Sequence, residues 1–143
     1  MNIKLLTLIL IGSLLASCAS TTQYVKFPDK QLDENFSRIY VLRPSSFGSA
    51  VKMSIYENDK LVGKLGPKSY LKWDITEEEI RLYSKSENKD ILTIKPVLGK
   101  TYYIKQQVKM GIVIARTGLV EITEEEAKEK LKKLKKPKVK YIE

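Results

Sequence analysis

From Arg38 onward the chain alternates apolar and polar positions in short runs separated by turn formers. Ile39-Tyr40-Val41-Leu42 is β-branched and aromatic, and Pro44-Ser45-Ser46 with Gly48 stops it. Val51, Met53 and Ile55 alternate with Lys52, Ser54 and Tyr56, the period of a half-buried strand. Asn58-Asp59 predicts a tight hairpin turn into Leu61-Val62 and Leu65. After Gly66-Pro67, Leu71, Trp73 and Ile75 alternate with Tyr70, Lys72 and Asp74, and Ile80 and Leu82 alternate with Arg81 and Tyr83. Ser86 to Lys89 is a further turn, Ile91 to Ile94 a short strand, and Thr101 to Val108 and Ile112 to Ala115 supply two more. Roughly six to eight short strands at this spacing predict an all-β fold, an antiparallel sandwich or barrel, rather than βαβ units.

At Thr123 the period changes. Thr123-Glu124-Glu125-Glu126 fits a capping box, and Ala127, Leu131 and Leu134 follow at helical spacing until Pro137. Glu126–Lys130 and Glu129–Lys133 stand at i, i+4 in the order that suits the helix dipole. One amphipathic C-terminal helix therefore closes a β domain spanning residues 37–136. The tail 137–143 is expected to fray. Residues 18–36 are polar around Pro28-Asp29 and read as a tether with a reach of roughly 20–25 Å, although Tyr24, Val25 and Phe27 offer side chains that can dock on the domain.

The first 17 residues have a different pattern. Lys4 precedes an unbroken apolar and small run from Leu5 to Leu15, followed by Ala16-Ser17-Cys18, which is the n-region, h-region and small-residue cleavage site of a secretory signal peptide. The run is too short to span a bilayer. Leu15-Ala16-Ser17-Cys18 resembles the bacterial lipobox, in which the thiol of the first mature residue is diacylated before cleavage. Cys18 is the only cysteine. Two or more acyl chains give a stable anchor. Ala19 follows, whereas Asp at that place holds Gram-negative lipoproteins in the inner membrane; in such a source the resemblance favours the periplasmic face of the outer membrane.

Composition narrows the chemistry further. There is no histidine and one cysteine in 143 residues, so a Ser-His-Asp or Cys-His site, an imidazole metal ligand, an intrachain disulfide and a multi-Cys metal site are all excluded. No cofactor is expected. The 26 basic residues comprise four Arg and 22 Lys against 17 acids, for a net charge of +9. Cleavage before Cys18 removes seventeen residues and the charge of Lys4, leaving 126 residues and +8. A Lys-rich, Arg-poor chain is a weak candidate for nucleic acid, and its charge suits either a solvated surface or anionic lipid and wall polymer.

Several runs together resemble the domain of unknown function 2846 family of small bacterial lipoproteins: Arg38 to Ser45, Ile55 to Gly63, Ser69-Tyr70-Leu71, Gly99 to Lys105 and Val108-Lys109-Met110-Gly111. The resemblance covers about Ser37 to Ala127. That family tends to carry a Pro-Gly-x-His turn where this chain has Ile75-Thr76-Glu77-Glu78-Glu79-Ile80, so a role tied to that histidine is absent here. It implies a transthyretin-like or prealbumin-like sandwich exposed in the periplasm and no activity.

Three groups are candidate sites. Tyr40, Tyr56, Tyr70, Tyr83, Tyr102 and Tyr103 can stack on sugar rings of peptidoglycan, or simply be half-buried strand residues. Arg38, Arg43 and Arg116 stand at strand boundaries, where an anion or partner surface commonly forms; ordinary salt bridges are the alternative. Lys132 and Lys135, in the basic run Lys128 to Lys136, can face an anionic surface, although the narrow apolar stripe suits packing on the sandwich. The acid pairs at Glu77-Glu78-Glu79 and Glu124-Glu125 are weak candidates for acid–base catalysis. The expectation is a non-enzymatic binding or scaffolding module whose partners are membrane lipid at Cys18 and envelope proteins or peptidoglycan. A small-ligand carrier or enzyme inhibitor with a pocket at the sandwich edge is the alternative.

Overall fold

The computed structural model describes residues 20–26 and 28–142. Ten strands form two sheets that face each other: β1 (Thr22–Val25), β2 (Ser37–Arg43), β3 (Met53–Glu57), β4 (Lys60–Leu65), β5 (Ser69–Ile75), β6 (Ile80–Lys85), β7 (Lys89–Ile94), β8 (Thr101–Met110), β9 (Ala115–Glu121) and β10 (Lys138–Tyr141), with one helix, α1 (Glu124–Leu131), between β9 and β10. The six-stranded sheet runs β10-β1-β4-β3-β6-β7 and the four-stranded sheet β5-β2-β8-β9. This is an all-β sandwich.

Alternation builds its core. Ile39, Val41, Leu71, Ile75 and Ile104 from one sheet meet Ile55, Leu65, Ile80, Leu82 and Ile94 from the other, and all are buried. Leu42, on the opposite face of β2, is also fully buried. Helix α1 lies against β2 and β8 on that outer face, with the small Ala127 side chain wholly enclosed and Lys105 of β8 paired to Glu126 at 3.0 Å. A strand covered on both faces is expected to be apolar without a break, as Ile39 to Leu42 is. Thr123 caps the helix by accepting from the Glu126 amide at 3.3 Å.

Four expectations are corrected. The sandwich is not wholly antiparallel, because β2 pairs in parallel with β8 and β1 with β10. The domain is not confined to residues 37–136. Within the expected tether, Thr22–Val25 joins the larger sheet, and the expected frayed tail forms β10 beside it. Thr21 adds side-chain bonds, from its hydroxyl to that of Ser69 and from the Gly66 amide to its Oγ1. Gly63 makes the addition of β1 feasible: a Cβ there would stand 2.5 Å from the Thr22 carbonyl oxygen. Finally, Ile112-Val113-Ile114 is not a strand but the turn between β8 and β9, and β9 begins only at Ala115.

The strand directions sort the connections between two ends. The start of β1, the end of β2, and the β4–β5, β6–β7 and β8–β9 turns share one end, called here the hairpin end. Lys135, beyond α1, joins them, since its amide donates to the Lys68 carbonyl at 2.9 Å. The β3–β4 turn, the β5–β6 and β7–β8 connections and the start of α1 lie at the other end.

Candidate functional site

Arg43 does not belong to a surface. Period-two alternation from Ile39 and Val41 turns it inward, and it is 0% exposed. Its Nη1 donates to the carbonyls of Val51 at 2.6 Å and Leu65 at 3.0 Å, and its Nη2 to those of Phe47 at 3.1 Å and Gly48 at 2.8 Å. Burial lowers its pKa from the ordinary value, yet guanidinium remains charged. This cation without a carboxylate therefore ties the Pro44–Lys52 connection to the ends of β2 and β4. Arg38 is likewise structural: its Nε donates to Asp74 at 2.7 Å and its Nη2 to the Lys30 carbonyl at 2.5 Å. The hydrogen bond it donates to Asp74 raises its pKa, against burial.

Arg116 is exposed at the start of β9, an edge of the smaller sheet, while Lys135 lies beside Ser69 at the opposite edge. Lys132 is ion-paired to Glu129 on its own helix. The five predicted basic residues, Arg38, Arg43, Arg116, Lys132 and Lys135, thus share no pocket. Cys18 and the pattern Leu15-Ala16-Ser17 lie outside the described residues.

The tyrosines divide into two outward clusters and one inward residue. Tyr40 stands between Tyr70, with centroids 5.9 Å apart, and Tyr103, with centroids 5.2 Å apart and stacked, on the outer face of the smaller sheet. Partial burial raises the pKa of all three hydroxyls. On the outer face of the larger sheet, Tyr56 and Tyr83 stack at 4.7 Å. The registers extend this pair into a row, Leu61, Tyr56, Tyr83 and Ile91, from strand to strand, and Lys89 stands over the Tyr83 ring at 4.0 Å. Tyr102 instead turns inward, packs on the core and accepts from the Val97 amide at 3.0 Å. Two stacked rings between aliphatic neighbours, with one cation over Tyr83, offer flat apolar area with polar edges, which suits stacking partners.

Two kinds of feature, polar side chains bonded within the sandwich and an exposed apolar turn, escaped the sequence reading. Gln106, buried between the sheets, donates to Ser84 at 2.5 Å and Thr117 at 3.2 Å. At the open side of the sandwich, Asn88 and Asp90 bond the backbone of edge strand β9 at Thr117 and Leu119, blunting an edge that would otherwise template aggregation. Secondly, the β8–β9 turn projects Met110, Ile112, Val113 and Ile114, exposed by 80, 93, 84 and 59%. The Glu87 carboxylate accepts from the amides of Ile112, Val113 and Ile114 at 2.9, 3.3 and 3.4 Å. Those bonds, chiefly Ile112's, lower the Glu87 pKa. Gly111 admits the carboxylate, since a Cβ there would lie 2.0 Å from Glu87 Oε2.

Among the described residues no three His, Cys, Asp or Glu side chains gather as a metal site, and no helix is long and apolar enough to cross a membrane. Surface depressions of about 530 and 430 Å³ lie beside β8–β9 and beside α1.

The class of the molecule is thus an all-β sandwich closed by one helix. Its sequence is 31% identical over 136 residues to an uncharacterized protein of Haemophilus influenzae, covering 87% of this chain and 78% of that one. The chain belongs to that protein's family. No family model matches it, and no solved structure does.

Proposed function

We propose that this protein is a bacterial envelope lipoprotein, fixed to a membrane by acylated Cys18, whose sandwich serves as a non-enzymatic binding or scaffolding module. The observation that carries the reading is the sequence Leu15-Ala16-Ser17-Cys18 behind a short apolar run, with the sole cysteine at the site of lipid attachment. The fold adds support, because sheet structure begins at Thr22, just beyond that site. The Leu61-Tyr56-Tyr83-Ile91 row is the surface best suited to an envelope protein or to the sugar rings of peptidoglycan. The space between the sheets is filled by fully buried side chains, which favours scaffolding over carriage of a small ligand.

Membership of the domain of unknown function 2846 family is part of the same proposal. It rests on runs that form β2, the β3–β4 hairpin and the start of β8. In a Gram-negative source, Ala19 directs the protein to the periplasmic face of the outer membrane. Replacing Cys18 by Ala should abolish incorporation of labelled palmitate and release the protein from membranes. Unchanged labelling overturns the assignment. Purified peptidoglycan and envelope extract should each be offered to the wild type and to Tyr56→Ala/Tyr83→Ala; equal retention of both forms removes the aromatic row from the proposal.

A further inference from the structure

The start of β1 and the β8–β9 turn lie at the same end of the sandwich. Thr21 is held there by Ser69 and Gly66. Only three residue steps separate it from Cys18, and an extended chain of that length spans at most about 11 Å. A lipid on Cys18 therefore holds the hairpin end close to the bilayer, in place of the free reach of residues 18–36 expected from the sequence.

The same end has the composition of a membrane-contact surface. Its most prominent feature is the tip of Ile112, Val113 and Ile114, exposed by 93, 84 and 59%, beside Met110 at 80%. Exposed apolar groups gathered in this way mark interaction sites. A backbone entering an apolar interface must keep its amides bonded, and Glu87 already accepts those of all three tip residues. Around this end stand the exposed Lys52, Lys68, Lys85, Lys109, Arg116 and Lys135. Among the described residues none of these six is in an ion pair. Glu87 is the acid within this tip, whereas Asp59 in the β3–β4 turn, Glu77, Glu78 and Glu79 before β6, and Glu124 at the start of α1 lie at the far end, where they outnumber Lys60, Lys95 and Lys100.

We propose that the hairpin end is a membrane-contact surface: the Ile112-Val113-Ile114 tip enters the interface of the bilayer that holds Cys18, and the surrounding cations rest on anionic lipid headgroups. The inference rests on the lipoprotein reading above. Charge complementarity and the position of the chain's entry both select lipid as the occupant. An exposed aliphatic tip among cations at the same end matches an apolar layer beneath anionic phosphates, and a second contact beside the acyl chains fixes the orientation of the domain. The aromatic row on the larger sheet, which crosses the strands, then runs level with the membrane surface on the side of the sandwich, open to partners.

Because lipid occupies the sole native cysteine, Val113→Cys supplies a single free thiol without touching the core, and Glu78→Cys supplies one at the far end. Full-length lipidated protein carrying an environment-sensitive dye at either position is reconstituted into phosphatidylcholine vesicles with or without phosphatidylglycerol. At position 113 the dye should emit further to the blue and be quenched several-fold less by aqueous iodide than at position 78. Phosphatidylglycerol should enlarge the difference, and Lys109→Glu with Arg116→Glu should reduce it. Equal quenching at the two positions in protein that floats with the vesicles overturns the proposal while leaving the anchor standing. An unchanged difference on adding phosphatidylglycerol overturns the headgroup contact, and failure of the wild type to float overturns the anchor together with the proposal.

Discussion

Replacing Arg43 by Met separates a structural role from an anion site. Met keeps an unbranched stem in the buried space but removes the four donor contacts made to Val51, Leu65, Phe47 and Gly48. The Leu65 bond is buried, so its carbonyl loses a partner that water cannot replace, at about 1–3 kcal/mol; the three part-buried carbonyls cost about 0.5–1 kcal/mol each. Relief from burying a cation offsets a share of this, leaving a net loss of about 2–4 kcal/mol. For a domain of this size, at about 4 °C per kcal/mol, Tm should fall by roughly 8–16 °C. Thermal unfolding of the wild type and of Arg43→Met, with urea unfolding as a second probe, measures it. Arg43→Lys should fall between them, since a single ammonium cannot reach all four carbonyls. A loss below about 1 kcal/mol would refute the reasoning, because the guanidinium would then be dispensable to the connection it ties.

Three further outcomes follow from the side chains at the two ends. Gly111→Ala drives a Cβ into the Glu87 carboxylate, so amide exchange at Ile112 to Ile114 should accelerate while the midpoint of global unfolding moves little; protected amides would contradict the clamp. The Glu87 carboxyl is held below its ordinary value, first by the Ile112 amide, so its support for the turn is present above the unfolded pKa and lost as pH falls through the lower folded one. Exchange at those amides, corrected for intrinsic rate, should rise below about pH 4 in the wild type and not in Glu87→Gln. Burial raises the pKa of Glu57, against the bond it accepts from Trp73. The stability cost of its ionisation therefore appears as pH rises past the ordinary carboxyl value and is complete above the folded one. Glu57→Gln should raise Tm at neutral pH and leave it unchanged in acid, and a variant less stable at neutral pH would show that the charge is favoured in the fold.

The legible strands were those whose partners or burial impose alternation. Met53-Ser54-Ile55, Leu71 to Ile75 and Ile80-Arg81-Leu82 carry the period of two because one face meets the core, and the Thr123 cap was readable because its bond is local. β1 and β10 were not readable. They pair with each other, and β1 with β4, across long chain separations, and all four residues of β10 remain exposed, so neither needs an apolar pattern. Ile112-Val113-Ile114 misled for the opposite reason: its β-branched residues read as a strand but serve a turn whose amides are met by a side chain, Glu87. For the sites, Leu15-Ala16-Ser17-Cys18 is a local pattern that lies outside the described residues. The burial of Arg43 was also within reach, since two further residues from Val41 lead back to the inner face, whereas the gathering of cations around an apolar tip depends on topology that no local pattern carries.

The most direct test of the central claim is mass spectrometry of the N-terminal peptide ending at Lys26, released by trypsin from protein isolated with its membranes. A lipid-anchored protein yields a peptide that begins at Cys18 and carries the added mass of a diacylglyceryl group with an N-acyl chain. A peptide that begins elsewhere, or an unmodified Cys18, contradicts the claim.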